Sequence, residues 1–274
     1  MSKITRPQRS SKGTYRAQAA KLGHAKSLAE SVTVRSGYAY EIDPDEPFYP
    51  GAAERAEKLH EAVSGPIQGA DHRIVYMAVK RVFDICFSAA VLLVLLVPLI
   101  IVAVAIKVDD PNGPVFFRQE RVGKGGRTFK MYKFRSMVSN AEDLLESLQE
   151  LNEKDGPVFK ITDDPRITYV GKFIRKTSID EFPQFINVLL GQMSVVGPRP
   201  ALPREVAQYD DYQRQRLLVK PGITCYWQTR RNRDTIGFDE WVDLDLLYIK
   251  QCSVWADFKL IIQTVGVVLT AQGS

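Results

Sequence analysis

Cysteine and histidine are scarce in this sequence of 274 residues, and their positions limit the chemistry it can perform. The three cysteines, Cys86, Cys225 and Cys252, are odd in number and form no CxxC pair, which argues against a disulfide framework or a cysteine zinc site. All three histidines precede residue 76. A serine–histidine triad, a histidine base and a histidine-ligated zinc site are therefore excluded from the rest of the chain.

Motifs for nucleotide binding are also missing. GxxxxGK[ST] does not occur and no GxGxxG follows a strand pattern, so neither a P-loop nor a dinucleotide-binding fold is supported. The net charge of +5 is mild for this length and suits a protein that meets anionic lipid or phosphate ligands. No aromatic ladder accompanies the arginines at 230, 231 and 233, so nucleic acid is not expected as a partner.

A long uncharged apolar run is present at residues 85–106. Its Leu, Ile, Val and Phe residues favour insertion into a bilayer by roughly 5–9 kcal/mol. Pro98 interrupts the run, and the part before it spans about 20 Å, too little to cross a hydrocarbon core of about 30 Å. Lys80, Arg81 and Lys107 make both flanks positive, which is typical of the cytoplasmic side. We expect a re-entrant helix broken at Pro98, with a kinked single-pass helix as the alternative.

The rest of the chain divides into two regions around this membrane helix, which we place at residues 76–108. Residues 1–75 show no sustained apolar periodicity, which predicts a flexible cytoplasmic tail with a short helix at 52–63. Residues 109–274 should form one compact cytoplasmic domain. The fold class is α+β and mainly helical: a β-hairpin follows the membrane helix, and helices are predicted at 141–152, 181–190, 202–218, 238–250 and 254–270.

Two adjacent acids, Asp180 and Glu181, are candidates for chemistry. Pro183 fits the first turn of a helix, which places Asp180 at or near the N-cap, and acids are common there simply because they cap a helix. Arg175 and Lys176 just upstream favour a phosphate site instead. Their positive field should keep Asp180 ionised, as a carboxylate nucleophile must be, and the acid pair would suit Mg²⁺.

Two further features have both a structural and a functional interpretation. Arg199 lies between two prolines, which either form a rigid surface loop or orient its guanidinium for bidentate contact with phosphate. Asp243 and Asp245 fit an amphipathic helical pattern and are typical of a solvated helix face.

Six short segments occur in an order that resembles one known family. They are Lys80-Arg81-Val-Phe-Asp84 before the broken apolar run, Lys130-Met-Tyr-Lys133-Phe-Arg135 after it, Ser178-Ile-Asp180-Glu181, Asn187-Val-Leu-Leu-Gly191, Gly197-Pro-Arg199-Pro, and Lys220-Pro-Gly-Ile-Thr224. Each is weak alone, but the ordered set resembles the bacterial sugar transferase family of monotopic polyprenyl-phosphate phosphoglycosyl transferases, exopolysaccharide-initiating type, over residues 76–274.

The resemblance implies an enzyme on the cytoplasmic face of a bacterial cell membrane. It would transfer a sugar-1-phosphate, galactose or glucose, from a UDP-sugar to undecaprenyl phosphate, release UMP, and initiate exopolysaccharide or capsule synthesis. Membrane lipid is the other expected partner, and the sequence leaves a homodimer open. Two departures from the family pattern are Val97, where many members have serine, and the arginine-rich run at 229–234.

The resemblance also implies roles for individual residues. Asp180 would be the nucleophile of a covalent phosphosugar intermediate, with Glu181 as its acidic partner and both carboxylates on a Mg²⁺ ion. Lys133, Arg175 and Arg199 would bind phosphate, and Asp245 corresponds to an additional functional acid. Two alternatives stay open: a membrane-anchored basic adaptor that binds lipid or nucleic acid without catalysis, and a phosphohydrolase that hands the phosphosugar to water.

Overall fold

The computed structural model describes residues 52–144, 147–148, 161, 163–230 and 236–269. The described helices are α1 (Ala52–Val63), α2 (Ile74–Val94), α3 (Leu96–Asp109), α4 (Tyr169–Lys176), α5 (Gln184–Leu189), α6 (Pro203–Val206), α7 (Asp211–Arg214), α8 (Phe238–Gln251) and α9 (Val254–Leu269). The strands are β1 (Phe116–Val122), β2 (Thr128–Phe134), β3 (Ser194–Val196) and β4 (Gly222–Thr224). The α+β, mainly helical class is therefore confirmed.

Residues 52–75 correct the prediction of a free tail. Helix α1 forms where the sequence predicts it, but Leu59 and Val63 are buried against the domain. Leu59 packs in a cluster with Trp227 and Trp241, because two apolar residues four positions apart share one face of an otherwise polar helix. The segment before residue 52 lies outside the described residues, and the outer boundaries of the tail and the domain stay predictions.

The apolar run folds as two helices, α2 and α3, which meet at an angle of 63°. The bend is at Leu95, one turn before the predicted position, and Pro98 still explains it. Proline has no N–H for the carbonyl four residues earlier, and its ring collides with that carbonyl, which belongs to Val94, the last residue of α2. In the described part of the chain, no single helix is long and apolar enough to cross a membrane, whereas the bent pair qualifies by length and composition.

The bend itself is apolar and uncovered. Leu93, Val94 and Val97 around it are 66–77% exposed, an arrangement typical of a surface that meets lipid. Asp84, in the middle of α2, ties this helix to the domain, because it is buried and accepts hydrogen bonds from Ser194 Oγ at 3.1 Å and Val195 N at 2.9 Å. Helix α2 is thus anchored in the domain while the bend projects from it.

The predicted β-hairpin is confirmed. Strands β1 and β2 are antiparallel with Phe116 opposite Phe134 and Val122 opposite Thr128. Strands β3 and β4 form a second sheet, which is parallel and two-stranded. This sheet was not predicted from the sequence. At Gly222 a side chain would place its Cβ 2.1 Å from the backbone nitrogen of Gly197, so glycine permits this close approach.

The predictions for the later helices have mixed outcomes. Helices α8 and α9 confirm the predictions over 238–250 and 254–270. The single helix predicted over 202–218 is wrong, because α6, α7 and the 3₁₀ turn Gln215–Leu218 replace it. Asp210 caps a new helix there by accepting a 2.8 Å hydrogen bond from Gln213 N. The helix predicted over 141–152 begins in turns at 141–144 and otherwise lies mostly outside the described residues.

Candidate active site

The acid pair lies in a tight turn between two helices. Asp180 and Glu181 belong to the 3₁₀ turn Ile179–Glu181, which Ser178 opens in the left-handed region at φ 57°. The predicted N-cap role of Asp180 is wrong, since α5 begins only at Gln184, has six residues and receives no side-chain cap. Helix capping therefore does not explain why these two acids are present.

The turn is attached to the membrane helix pair. Ile179 packs against a buried cluster that joins α3, β2 and α4 through Ile106, Phe134 and Ile174. Because Ile179 precedes Asp180 directly, this packing places the acid pair beside the last turns of α3. An apolar substrate that approaches along the helix pair would arrive next to the carboxylates.

Basic side chains from three elements surround the acid pair. Lys133 of β2 donates to Glu181 Oε1 at 2.7 Å. The charge of Arg175, in α4, acts on Asp180, and the charge of Arg199 acts on Glu181. The structure therefore brings together both predicted acids and all three predicted phosphate-binding cations.

The pKa values of the two acids are shifted in opposite directions. Burial raises the pKa of Asp180 to about 6, against the opposing attraction of Lys133 and with the support of the Glu181 charge. Burial thus opposes the positive field that was expected to keep Asp180 ionised, but a pKa of about 6 still leaves the carboxylate about nine-tenths ionised at pH 7. Burial also acts on Glu181, but Lys133 and Arg199 outweigh it and hold the pKa of Glu181 below its usual value.

Arg121 lies at the site but is not among the residues predicted from the sequence. Its side chain is buried on β1, donates to the Pro200 carbonyl at 2.9 Å, and its charge acts on Glu181. Burial, followed by the nearby Arg199 charge, lowers the pKa of Arg121 to about 9. The missed signal is alternation: in β1 the side chains of Phe117, Gln119 and Arg121 face inward, so a charged residue stands at a core-facing position.

Asp243 and Asp245 are not on a solvated face, and that prediction is wrong. Both are 1% exposed or less. Asp245 forms an ion pair with Arg216, and burial raises its pKa to about 6 against the attraction of Arg216 and Arg199. Within the described residues its carboxylate contacts Arg216 and neither member of the acid pair. A charged pair buried so deeply indicates a structural or positioning role.

The site offers few ligands for a metal ion. Within the described ranges, no group of three or more His, Cys, Asp and Glu side chains lies together. Asp180 and Glu181 alone provide two carboxylates. Mg²⁺ typically takes one or two carboxylates together with substrate phosphates and water, so the residues fit this ion when a diphosphate is bound.

Carboxylates close to several cations, beside a bent apolar helix pair, are typical of a site that binds phosphate groups. Comparison with known proteins identifies the family. The model of the bacterial sugar transferase family matches residues 75–271, so the chain belongs to this family and the resemblance found in the sequence is confirmed.

Relatives of known name support the assignment. The chain is 44% identical over 203 residues to the galactosyl transferase CpsE of Streptococcus agalactiae, a match covering 74% of this chain and 45% of that protein. It is 42% identical over 202 residues to the undecaprenyl-phosphate galactose phosphotransferase of Salmonella typhimurium, covering 71% and 41%. It is 36% identical to the exopolysaccharide production protein ExoY of Rhizobium meliloti, covering 71% and 87%. The chain thus matches less than half the length of the first two.

Proposed function

We propose that this protein transfers a sugar-1-phosphate from a UDP-sugar to undecaprenyl phosphate and releases UMP. One observation carries the proposal: a carboxylate pair, Asp180 and Glu181, lies among four cations at the end of the bent apolar helix pair. A nucleotide diphosphate-sugar supplies the anionic groups that these cations fit, and a polyprenyl phosphate supplies a long apolar chain with an anionic head.

The first step forms a covalent intermediate on Asp180. A carboxylate oxygen of Asp180 attacks the β-phosphorus of the UDP-sugar, an Oδ–P bond forms, and the bond from that phosphorus to the bridging oxygen breaks. UMP leaves with the electron pair of the broken bond. Burial makes Asp180 a stronger base than an exposed aspartate, while its pKa of about 6 still leaves it ionised at neutral pH.

The second step releases the phosphosugar to lipid. A phosphate oxygen of undecaprenyl phosphate attacks the same phosphorus, the Oδ–P bond breaks, and Asp180 returns to its ionised form. Lys133, Arg199 and Arg175 neutralise the phosphate charge in both steps, so one cationic pocket serves donor and acceptor in turn. A Mg²⁺ ion held by Asp180 and Glu181 with the diphosphate would add charge stabilisation at the phosphorus.

Access from the membrane follows from the helix pair. Its apolar bend projects from the domain, whereas Arg81 and Lys107 flank it with positive charge. We place this pair in the bilayer as a re-entrant segment, with the domain on the cytoplasmic face. A lipid phosphate would then meet the carboxylates at the membrane surface.

The donor sugar is proposed from relatives. Three similar proteins are named for galactose, and a protein of Klebsiella pneumoniae, 39% identical over 219 residues, is named UDP-glucose:undecaprenyl-phosphate glucose-1-phosphate transferase. We propose galactose or glucose, and a role at the first membrane step of exopolysaccharide or capsule synthesis. A homodimer stays a prediction.

The test measures UMP release by the full chain in detergent with Mg²⁺, undecaprenyl phosphate and a panel of UDP-sugars. Wild type should release at most one equivalent of UMP per enzyme without lipid, and should turn over repeatedly only when lipid is present, with one sugar preferred. Asp180→Asn should release none, whereas Asp211→Asn, which changes an exposed acid on α7, should behave as wild type.

Other outcomes identify the alternatives. Free sugar phosphate formed without lipid would indicate the phosphohydrolase, in which water is the acceptor. Folded protein that releases no UMP from any sugar, yet binds anionic vesicles, would indicate the adaptor. Mass spectrometry of the intact chain with UDP-sugar alone should show the added hexose phosphate on wild type and not on Asp180→Asn.

A further inference from the structure

The loop that contains Arg199 is held by its carbonyl groups. Pro198 and Pro200 have no N–H, so the backbone of this loop can be fixed mainly through its acceptors. The carbonyl of Pro198 accepts from Gly222 N at 2.9 Å, and the carbonyl of Ala201 accepts from Val122 N at 2.8 Å. Two of four consecutive carbonyls are therefore satisfied by the backbones of β4 and β1.

The carbonyls of the two residues between Pro198 and Ala201 accept hydrogen bonds from buried arginine side chains. Arg216 donates to the carbonyl of Arg199 at 3.5 Å, and Arg121 donates to the carbonyl of Pro200 at 2.9 Å. Each of these two arginine residues is 5% exposed. Enclosing two positive charges costs free energy that a backbone N–H would not, so carbonyl satisfaction alone does not explain the arginines.

Arg216 is itself fixed by two partners. It forms an ion pair with Asp245 of α8 and donates to the Tyr209 hydroxyl at 2.9 Å. The guanidinium reaches these partners from two nitrogens, with Nη1 donating to the hydroxyl and Nη2 to the carboxylate and the carbonyl, a planar geometry that the single ammonium of lysine does not reproduce. The geometry thus connects α8, through one guanidinium, to the backbone of Arg199.

We infer that Arg216 and Asp245 form a positioning pair, which sets the backbone of Arg199 so that its guanidinium meets the diphosphate of the UDP-sugar. The inference rests on the proposed function. It gives Asp245 an indirect role, because its carboxylate orients Arg216 and does not touch the substrate. Arg121 supports the same loop, but its charge also acts on Glu181, so the test uses Arg216.

The test is a double-mutant cycle between Arg216 and Arg199. Wild type, Arg216→Gln, Arg199→Gln and the double variant are compared by kcat/KM for lipid-dependent UMP release and by the Kd for UDP in calorimetry. Each single change should lower kcat/KM about 10–100-fold and weaken UDP binding. If Arg216 acts through Arg199, the double variant should lie within about threefold of Arg199→Gln.

Further variants separate positioning from folding. Arg204→Gln removes an exposed arginine on α6 near the loop and should match wild type. If Arg216→Gln does not fold, Arg216→Lys and Asp245→Asn replace it in the cycle, because each keeps a polar group at its position. Both should weaken UDP binding in the wild-type background and have little effect in the Arg199→Gln background, whereas a purely structural role would lower the folded fraction equally in both.

The outcomes distinguish this inference from the proposed function. If the fold-loss of kcat/KM in the double variant equals the product of the two single losses, the positioning pair is overturned. Lipid-dependent UMP release by wild type would still support the proposed function. Wild type that binds UDP but transfers no sugar would remove the proposed function, and the cycle of UDP Kd values would still decide the pair. Wild type that binds no UDP would overturn both.

Discussion

Asp180 and Asp245 are both buried acids with a pKa raised to about 6, but their surroundings differ. Asp245 lies on the long helix α8 and has a dedicated partner in Arg216. Asp180 lies on a three-residue turn, next to a second acid, and the charge of Lys133 acts on both acids. Its neighbour Glu181, not Asp180, takes the close ion pair with Lys133.

The difference separates a carboxylate available for reaction from one committed to structure. A buried acid that is matched by one arginine is stabilised in place, and its removal leaves a buried charge without a partner. A buried acid that lacks such a partner is poised to accept a new bond, which is what a nucleophile requires. Equal pKa values therefore do not indicate equal roles, and the neighbours decide between them.

Replacing the nucleophile should have the largest effect on turnover. Asp180→Asn should lower sugar-phosphate transfer by about 10³-fold or more, because no oxygen remains that can form the covalent intermediate. Its thermal stability should be unchanged or higher, since a buried charge is removed. Residual transfer above one-tenth of wild type, measured as UMP release, would contradict the comparison.

Asp245→Ala should differ from Asp180→Asn by a large loss of stability. It leaves Arg216 buried without its carboxylate, a change that typically costs about 3–5 kcal/mol. Urea unfolding should show this loss in Asp245→Ala, while Asp180→Ala should lose less than about 1 kcal/mol. Equal stability losses in the two variants would show that the two sites are not different in kind.

Lys133 should matter for activity more than for stability. Lys133→Gln removes the cation that contacts Glu181, so phosphate neutralisation weakens and kcat/KM should fall about 10–100-fold. The matched control is Lys130→Gln, an exposed lysine on the same strand, which should remain within about twofold of wild type. A similar fall in both variants would indicate a general effect of net charge.

The pH dependence of stability should give the smallest effect. The folded-state pKa of Asp245, about 6, exceeds its usual value, so the folded protein binds more protons there and the contribution of this group falls as pH rises from about 4 to about 6. In the Asp245→Asn variant the side chain at this position is an amide, which does not titrate. Its Tm relative to wild type should therefore rise by about 2–6 °C between pH 4.5 and pH 7. A constant difference in Tm would contradict the raised pKa.

Local patterns in the sequence predicted the parts of the fold that depend on neighbours in the chain. The hairpin of β1 and β2, the helices α8 and α9, and the break in the apolar run are each set by periodicity or by a proline. The break moved to Leu95 because a proline disturbs the carbonyl one turn earlier. The prediction of one helix over 202–218 is wrong, because Asp210 caps the start of a new helix within an apparently continuous helical pattern.

The residues of the site also divide into those that local motifs predicted and those that depend on distant contacts. Short motifs, read with the family resemblance, were sufficient to name Asp180, Glu181, Lys133, Arg175 and Arg199, and the structure brings these five together. They did not reveal Arg121 or Arg216. Arg121 contacts the Pro200 carbonyl 79 positions away, and Arg216 contacts partners 7, 17 and 29 positions away in the chain. Periodicity placed Asp243 and Asp245 at the surface, because an amphipathic pattern cannot show that a second layer covers the polar face.

The sequence by itself determined the family, the bent apolar segment, and the residue types available for catalysis, because composition and short-range spacing carry that information. Only the tertiary structure decided which acid is buried without a dedicated partner, which arginines hold the loop of Arg199, and that α1 packs on the domain. Burial and ion pairing depend on contacts between distant segments, and these contacts set the pKa values and the charge around each group.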